Sequence, residues 1–299
     1  MMVRLRLATR QSALALIQAN AVKAALEAAH PQLEIELVHT LTTGDQIQDR
    51  SLAAIGGKGL FVKRLEELLL TGKADCAVHS LKDVPPILDG EFCLAATLER
   101  ASPFDALVSR NALPFNALPK GARVGTCSVR RRAALLHLRP DLNIIEVRGN
   151  VDTRLAKLAR GEFDALILAE AGLRRLGLEQ MITETFPADV LLPSVGQGVI
   201  AIECLHNAPV IQAYLHAINH PETFTCSIAE RHMNAELGAS CTSPVGSYAY
   251  LQGDILHLEG TVWSPTGDQK TSTHEVGSQD EALILSARAA AKLRPALLP

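Results

Sequence analysis

Three kinds of residue in this chain have the chemistry to act on a ligand: a concentrated set of arginines, an aspartate that leaves an apolar run, and a cysteine among small residues. The arginines are Arg130, Arg131 and Arg132 in SVRRR, Arg148 and Arg154 in RGNVDTR, and Arg174 and Arg175 in GLRRLG. A guanidinium is a rigid, permanently charged fork that grips carboxylate or phosphate through paired hydrogen bonds. The chain as a whole is slightly acidic, with a formal net charge of -3. That balance argues against a general attraction to nucleic acid, and 4% aromatics leaves few platforms for stacked bases. Positive charge this local points to a small polyanion in a cleft. For any one of these arginines taken singly, a solvated helix face is the favoured reading. Three groups beside strand ends or helix starts weigh against that for the set.

In HSLKDVPP, His79 to Pro86, Lys82 and Asp83 stand where a buried strand leaves its sheet, and Pro85–Pro86 fix the exit path. A polar loop that stops a strand is the plain alternative. A carboxylate among arginines is held ionised, able to balance a developing cation or exchange a proton. IGGKGLFVK, Ile55 to Lys63, opens a helix on glycines but lacks the Ser or Thr after lysine that a P-loop requires. A lid over residues 42–60 with Lys58 as an anion contact, and an ordinary helix-start loop, are both open. GASCTSPVG, Gly238 to Gly246, leaves Cys241 accessible. A nucleophilic role needs a base beside it, and helical spacing does not bring His232 there. The other five cysteines are scattered without a C-x-x-C pair, which disfavours zinc and a disulfide framework.

The elements that must position these residues follow from periodicity. VRLRLAT, SALALIQANAVKAALEAA, LEIELVHTLT, GLFVKRLEELLLTG and ADCAVHSL read as strand, helix, strand, helix and strand. ARVGTCS, VRRRAALLHL, NIIEVRG, NVDTRLAKLARG and FDALILAE repeat that order, which predicts two α/β domains with helices flanking mainly parallel sheets around a shared cleft. LERASPFDALVSRNALPFNALPKG and FPADVLLPSVGQG read as crossings between the two, with VIAIEC returning to the first as a strand. From about Pro221 a helix, strand-like YAYLQGDILHLEGTVWS and a final helix make an α+β unit. The 299 residues suffice for two or three cores. The start shows no secretory pattern and no run reaches membrane-spanning length, so the expected location is cytoplasmic.

In their order, ATRQS, GGKGLFVKRLE, AVHSLKDVP, GTCSVRR, RGNVDTRL, AEAGLRRLG, SVGQG and AERHMNAELGASCTSPVG resemble the porphobilinogen deaminase family, from about residue 4 to residue 250. The resemblance implies two domains like type II periplasmic binding proteins with mainly parallel mixed sheets, plus a C-terminal α+β domain. The boundaries would be 1–98 with 198–218, then 99–197, then 219–299. It implies a transferase that condenses four porphobilinogen molecules head to tail, releasing ammonia and hydroxymethylbilane in haem biosynthesis. A dipyrromethane cofactor would be joined by a thioether to Cys241. The expected form is a monomer without metal, nucleic acid or membrane partner.

By position, Asp83 matches the catalytic aspartate, which holds the pyrrole N–H while ammonia leaves. Cofactor contacts fall on Cys241, Lys82, Asp83, Thr126, Ser128, Arg130, Arg131, Arg148 and Gly172. Substrate contacts fall on Arg10, Ser12, Gln18, Lys58, Phe61, Arg148, Arg154, Arg175 and Gln197. Thr43 and Ala54 stand where the family often has basic residues, and Ala239 and Ser243 are mild departures beside the anchor. Two rivals remain: a non-catalytic two-domain anion-binding protein, which has no use for the Cys241 loop, and a cysteine hydrolase, which lacks its base.

Overall fold

The structure, a computed structural model, describes residues 3–40, 62–240 and 242–297. Thr43, Ala54, Lys58, Phe61 and Cys241 lie outside the described residues. The chain divides into two compact units, Met1–Ala101 with Val199–Phe224, and Ser102–Gly198 with Thr225–Pro299.

In the first unit β1 (Val3–Arg10) leads into α1 (Ala13–Ala29) and β2 (Leu33–Thr40). Ser12 starts α1 by accepting a hydrogen bond from the Ala15 N–H. Ala15, Ala19, Val22 and Leu26 then recur at helical spacing on the buried face. α2 (Lys63–Leu70) and β3 (Cys76–Ser80) follow, with β4 (Phe92–Thr97) after the Asp83 loop. In β1, Leu5, Leu7 and Ala8 are all buried, as a strand covered on both faces requires.

The second unit opens with β5 (Asp105–Ser109), β6 (Arg123–Gly125), α3 (Val129–Leu138) and β7 (Asn143–Ile145). α4 (Val151–Ala159), β8 (Ala165–Ala169), α5 (Glu170–Arg175) and β9 (Glu184–Phe186) complete its sheet. Its strand order is β7-β6-β8-β5-β9, with β6 parallel to β7 and β8, and β5 antiparallel to β8 and β9.

The chain then returns to the first unit as β10 (Ile200–Leu205), which inserts between β3 and β4 and runs antiparallel to both. The first sheet is therefore ordered β2-β1-β3-β10-β4. The two sheets have one pattern: three parallel strands, one reversed strand, and a fifth antiparallel to that one. In the first sheet the reversed strand comes from late in the chain; in the second it comes from before β6.

After α6 (Pro209–His216) and α7 (Pro221–Leu237), β11 (Val245–Gln252), β12 (Ile255–Trp263) and β13 (Lys270–Ser278) form an antiparallel meander. α8 (Ala282–Leu293) packs on it through Leu285, Ala289 and Leu293. The α/β class with mixed sheets and a C-terminal α+β part is thus observed. Trp263, at the end of β12, is buried among Leu107, Leu135, Ile167 and Phe186 of the second sheet's core. The following turn seats Gly267 on α3: the Gly267 carbonyl lies 2.8 Å from His137 Nδ1, which must therefore carry the hydrogen.

One expectation needs correction. The segment read as the first crossing contains β5, which sits inside the second sheet between β8 and β9. Its flanking prolines and asparagines mask a short buried run. The strand-like YAYLQGDILHLEGTVWS is a hairpin that turns at Gly253, where φ is +60°. β4 and β13 were not foreseen; β13 is polar on both faces because it is an edge strand.

Candidate active site

In the first unit the predicted residues gather at the C-terminal ends of β1 and β3. Lys82 and Asp83 lie in a 3-10 turn, Leu81–Asp83, that directly continues β3. The turn is held to the residue just before β10 by a hydrogen bond from the Leu81 N–H to the Val199 carbonyl at 3.0 Å. Leu81 and Val84 anchor it by packing on Val199 and Ala201. Asp83 keeps a third of its side chain exposed, and its Oδ2 lies 3.9 Å from Nη1 of Arg10 at the end of β1. Gln18 of α1 is buried and donates to Ser80 Oγ at 2.8 Å, tying the helix to the end of β3. Gln18 thus supports the strand end from behind, and Ser12 is engaged as the α1 cap.

In the second unit the arginines that open α3 turn inward. Ser128 caps that helix by accepting from the Arg131 N–H at 3.3 Å, and Thr126 Oγ1 accepts from the Ser128 N–H at 3.2 Å. Arg130 donates to Asp105 Oδ2 at 2.7 Å and to the Leu192 carbonyl at 2.7 Å. Arg131 donates to Asp105 Oδ1 through Nε at 3.0 Å and through Nη2 at 2.7 Å. It also reaches the Ile167 carbonyl and Gln197. Gln197 completes the ring by donating to Asp105 Oδ1 at 2.9 Å and to the Pro103 carbonyl at 2.7 Å.

Burial alone would raise the Asp105 pKa, but Arg130, Arg131 and the Gln197 hydrogen bond outweigh it and hold the carboxyl at about 2. One carboxylate facing two guanidiniums leaves one positive charge of this ring unbalanced. Arg130 Nε is buried with no partner among the described residues. A group bearing carboxylates fits such a donor set.

The remaining arginines divide into those with spare capacity and those tied to the fold. Arg148 is held by Glu146 at 2.7 Å, and Arg154 donates through Nε to the Gly149 carbonyl at 2.7 Å. Gly149 can supply that carbonyl because it has a φ of +106°, which suits a residue without Cβ. Arg175 donates to the Gly198 carbonyl at 2.7 Å, and burial lowers its pKa. Gly172 is buried within α5. Arg132 bonds the Ile144 carbonyl, and Arg174 bonds Glu170, so these two serve the local fold. Among the described residues no three His, Cys, Asp or Glu side chains are grouped to hold a metal ion.

Asp105 is the site residue that the sequence reading missed. A signal for it exists: FDAL occurs at Phe104–Leu107 and again at Phe163–Leu166, followed each time by another aliphatic residue. The second copy enters β8, and the first is the neighbouring antiparallel strand β5.

A family sequence model described as "Porphobilinogen deaminase, dipyromethane cofactor binding domain" matches residues 5–213, and one described as "Porphobilinogen deaminase, C-terminal domain" matches residues 224–295. The chain is 50% identical over 289 residues to a protein named porphobilinogen deaminase from Xanthomonas campestris pv. campestris (strain B100), covering 97% of this chain and 95% of that one. It is likewise 51% identical over 279 residues to the protein of that name from strain ATCC 33913, covering 93% and 92%. Among solved structures, the methionine-binding protein MetQ aligns with a TM-score of 0.46 and 12% identity, over 74% of this chain and 92% of that chain. The VFT2 domain of Bordetella pertussis BvgS aligns with a TM-score of 0.44 and 16% identity, over 76% and 90%. These structural likenesses are too distant to say anything of ligand or activity.

Proposed function

The chain belongs to the porphobilinogen deaminase family, and we propose that Asp83 is the carboxylate that handles the reacting pyrrole, with cationic residues around it holding the acid side chains. The enzyme is a transferase of tetrapyrrole and haem biosynthesis. It condenses four porphobilinogen molecules head to tail, releasing ammonia at each condensation and hydroxymethylbilane at the end. Its cofactor is dipyrromethane, which supplies the free pyrrole carbon to which the first porphobilinogen is joined.

The observation that carries the role of Asp83 is its placement: a partly exposed carboxylate on a rigid turn, with the Arg10 guanidinium 3.9 Å away. When ammonia leaves the aminomethyl carbon of porphobilinogen, the pyrrole nitrogen feeds electrons toward that carbon and its N–H becomes positive. A fixed carboxylate that accepts a hydrogen bond from this N–H stabilises the cation as it forms. Charge held ready in this way contributes roughly 3 kcal/mol, on the order of a hundredfold in rate.

Each pyrrole brings an acetate and a propionate, so the growing chain accumulates negative charge. Arg130, Arg131, Lys82, Thr126, Ser128, Arg148 and Gly172 are assigned to the cofactor side, with Cys241 as the thioether anchor. Arg10, Ser12, Gln18, Lys58, Phe61, Arg148, Arg154, Arg175 and Gln197 are assigned to the incoming substrate. Arg131 divides its donors among Asp105, the Ile167 carbonyl and Gln197, and Gln197 its donors between Asp105 and the Pro103 carbonyl, so both also hold Arg130 and the surrounding backbone in place. We read the chain as three functional domains with boundaries at 1–98 with 198–218, 99–197 and 219–299, acting as a cytoplasmic monomer. No described helix is long and apolar enough to cross a membrane.

The test is Asp83→Asn, which keeps size and removes charge. Turnover of porphobilinogen should fall by about a hundredfold or more while fold and primer persist. Undiminished turnover would remove Asp83 from this role.

A further inference from the structure

β3 sends two adjacent side chains to opposite faces of the first sheet immediately before the Asp83 turn. Ser80 meets Gln18 of α1, whereas His79 faces the other way, where its Nε2 lies 2.8 Å from Oε2 of Glu203 on β10. Both side chains are sealed from solvent, at 3% and 0% exposure. The two groups are close but poorly aligned. Neither His79 Nε2 nor either Glu203 oxygen has a hydrogen-bond partner of good geometry among the described residues. A buried carboxylate without aligned donors is costly to keep, and a fold that keeps one calls for a reason.

Another titratable group faces the same place. Glu66 approaches from α2, and burial, followed by Glu203 and Asp89, pushes its carboxyl up to about 7, with His79 and Lys63 opposing.

The ladder connects this group to Asp83. His79 is opposite Ala201, and Ala77 is opposite Glu203, so the pair spans the last rungs between β3 and β10. The bond from the Leu81 N–H to Val199 comes next and carries the turn. Val199, which bonds the turn, is thus only two residues from Ala201, the partner of His79 in the ladder.

We propose that the cluster of buried His79 and Glu203 with the partly exposed Glu66 beside them positions the Asp83 turn, so that turnover responds to pH through groups that do not touch substrate. This rests on Asp83 being the reacting carboxylate. All three members are positioning residues: they act through the β3–β10 ladder and its turn.

Glu203→Gln removes one charge and preserves shape. In the primer-bearing enzyme with porphobilinogen, kcat should fall about tenfold while KM stays within about twofold. The pH of half-maximal kcat should move down by about 0.5 to 1 unit, because the Glu203 charge helps to raise the Glu66 carboxyl and is then gone. Glu203→Asp should recover most of the loss. If Glu203→Gln does not fold, Glu66→Gln, at a partly exposed position, should move the curve in the same direction. A folded variant whose kcat–pH curve overlays that of the wild type overturns the proposal. So does a kcat loss that only tracks lowered thermal stability. Asp83→Asn run alongside separates the two levels: normal turnover there removes the role of Asp83, while an inactive Asp83→Asn beside an unmoved pH curve removes only the cluster.

Discussion

Arg131 gives both its Nε and an Nη2 hydrogen to the same oxygen of Asp105, at 3.0 and 2.7 Å, and the other oxygen is left to Arg130. One aspartate thereby orients both guanidiniums while neutralising only one of them. Arg131 is largely saturated by this arrangement, whereas Arg130 keeps a buried Nε without a partner among the described residues. The surplus charge is what a carboxylate of the cofactor would meet.

Asp105→Asn should lower the stability of the protein by about 3 kcal/mol, since removing one partner strands buried charge. Primer occupancy should fall with it. Denaturant unfolding and intact mass, measured on the same preparation, check both; unchanged stability with full occupancy would contradict the arrangement.

The depressed pKa of Asp105 fixes a pH dependence. Its carboxyl titrates at about 2 against an ordinary 3.8, so between those values the unfolded chain binds more protons than the native one. Stability is fully present above about pH 4 and is lost as pH falls through that window, to a total of about 2 kcal/mol. Thermal unfolding between about pH 2 and 5 should show the loss in the wild type and a shallower one in Asp105→Asn.

Glu66 has the opposite sign. Its carboxyl is raised from 4.5 to about 7, so the native state binds more protons across that window and stability declines as pH rises through it. Because Glu66 is partly exposed, solvent screening keeps the effect modest. Glu66→Gln should flatten the decline in melting temperature between about pH 4.5 and 7; an identical slope would show that another group titrates there.

Gly267→Ala should destabilise the second unit by about 2 kcal/mol or more. Its φ is +79°, and an added Cβ would sit 2.6 Å from the Ala133 carbonyl on α3. Trp263, the single tryptophan, lies in the same buried core and reports the change through its fluorescence. Since α3 carries Arg130 and Arg131, primer retention should weaken as well. A variant as stable as the wild type would mean the turn does not bear on α3.

Legibility from sequence followed how local each cause is. α3 was placed at Val129–Leu138 because Ser128 is a cap and the apolar spacing after it is helical. The Asp83 turn was visible because an apolar strand ends in Lys-Asp and two prolines. Asp105 was hidden because its strand is short and lies between proline- and asparagine-rich flanks. Its significance comes from pairing with residues far along the chain. His79 and Glu203 are likewise joined only when β10 returns to the first sheet, and no local pattern announces that contact. β13 has no apolar alternation because an edge strand needs little of it. Cys241 and Lys58, which the sequence singles out, lie outside the described residues.

The most direct test of the account is the denatured intact mass of the purified protein, with peptide mapping around Cys241. The account predicts a mass excess equal to two linked pyrrole units, confined to the peptide that contains Cys241 and absent from Cys241→Ser. A protein of unmodified mass that remains unmodified after incubation with porphobilinogen would contradict it.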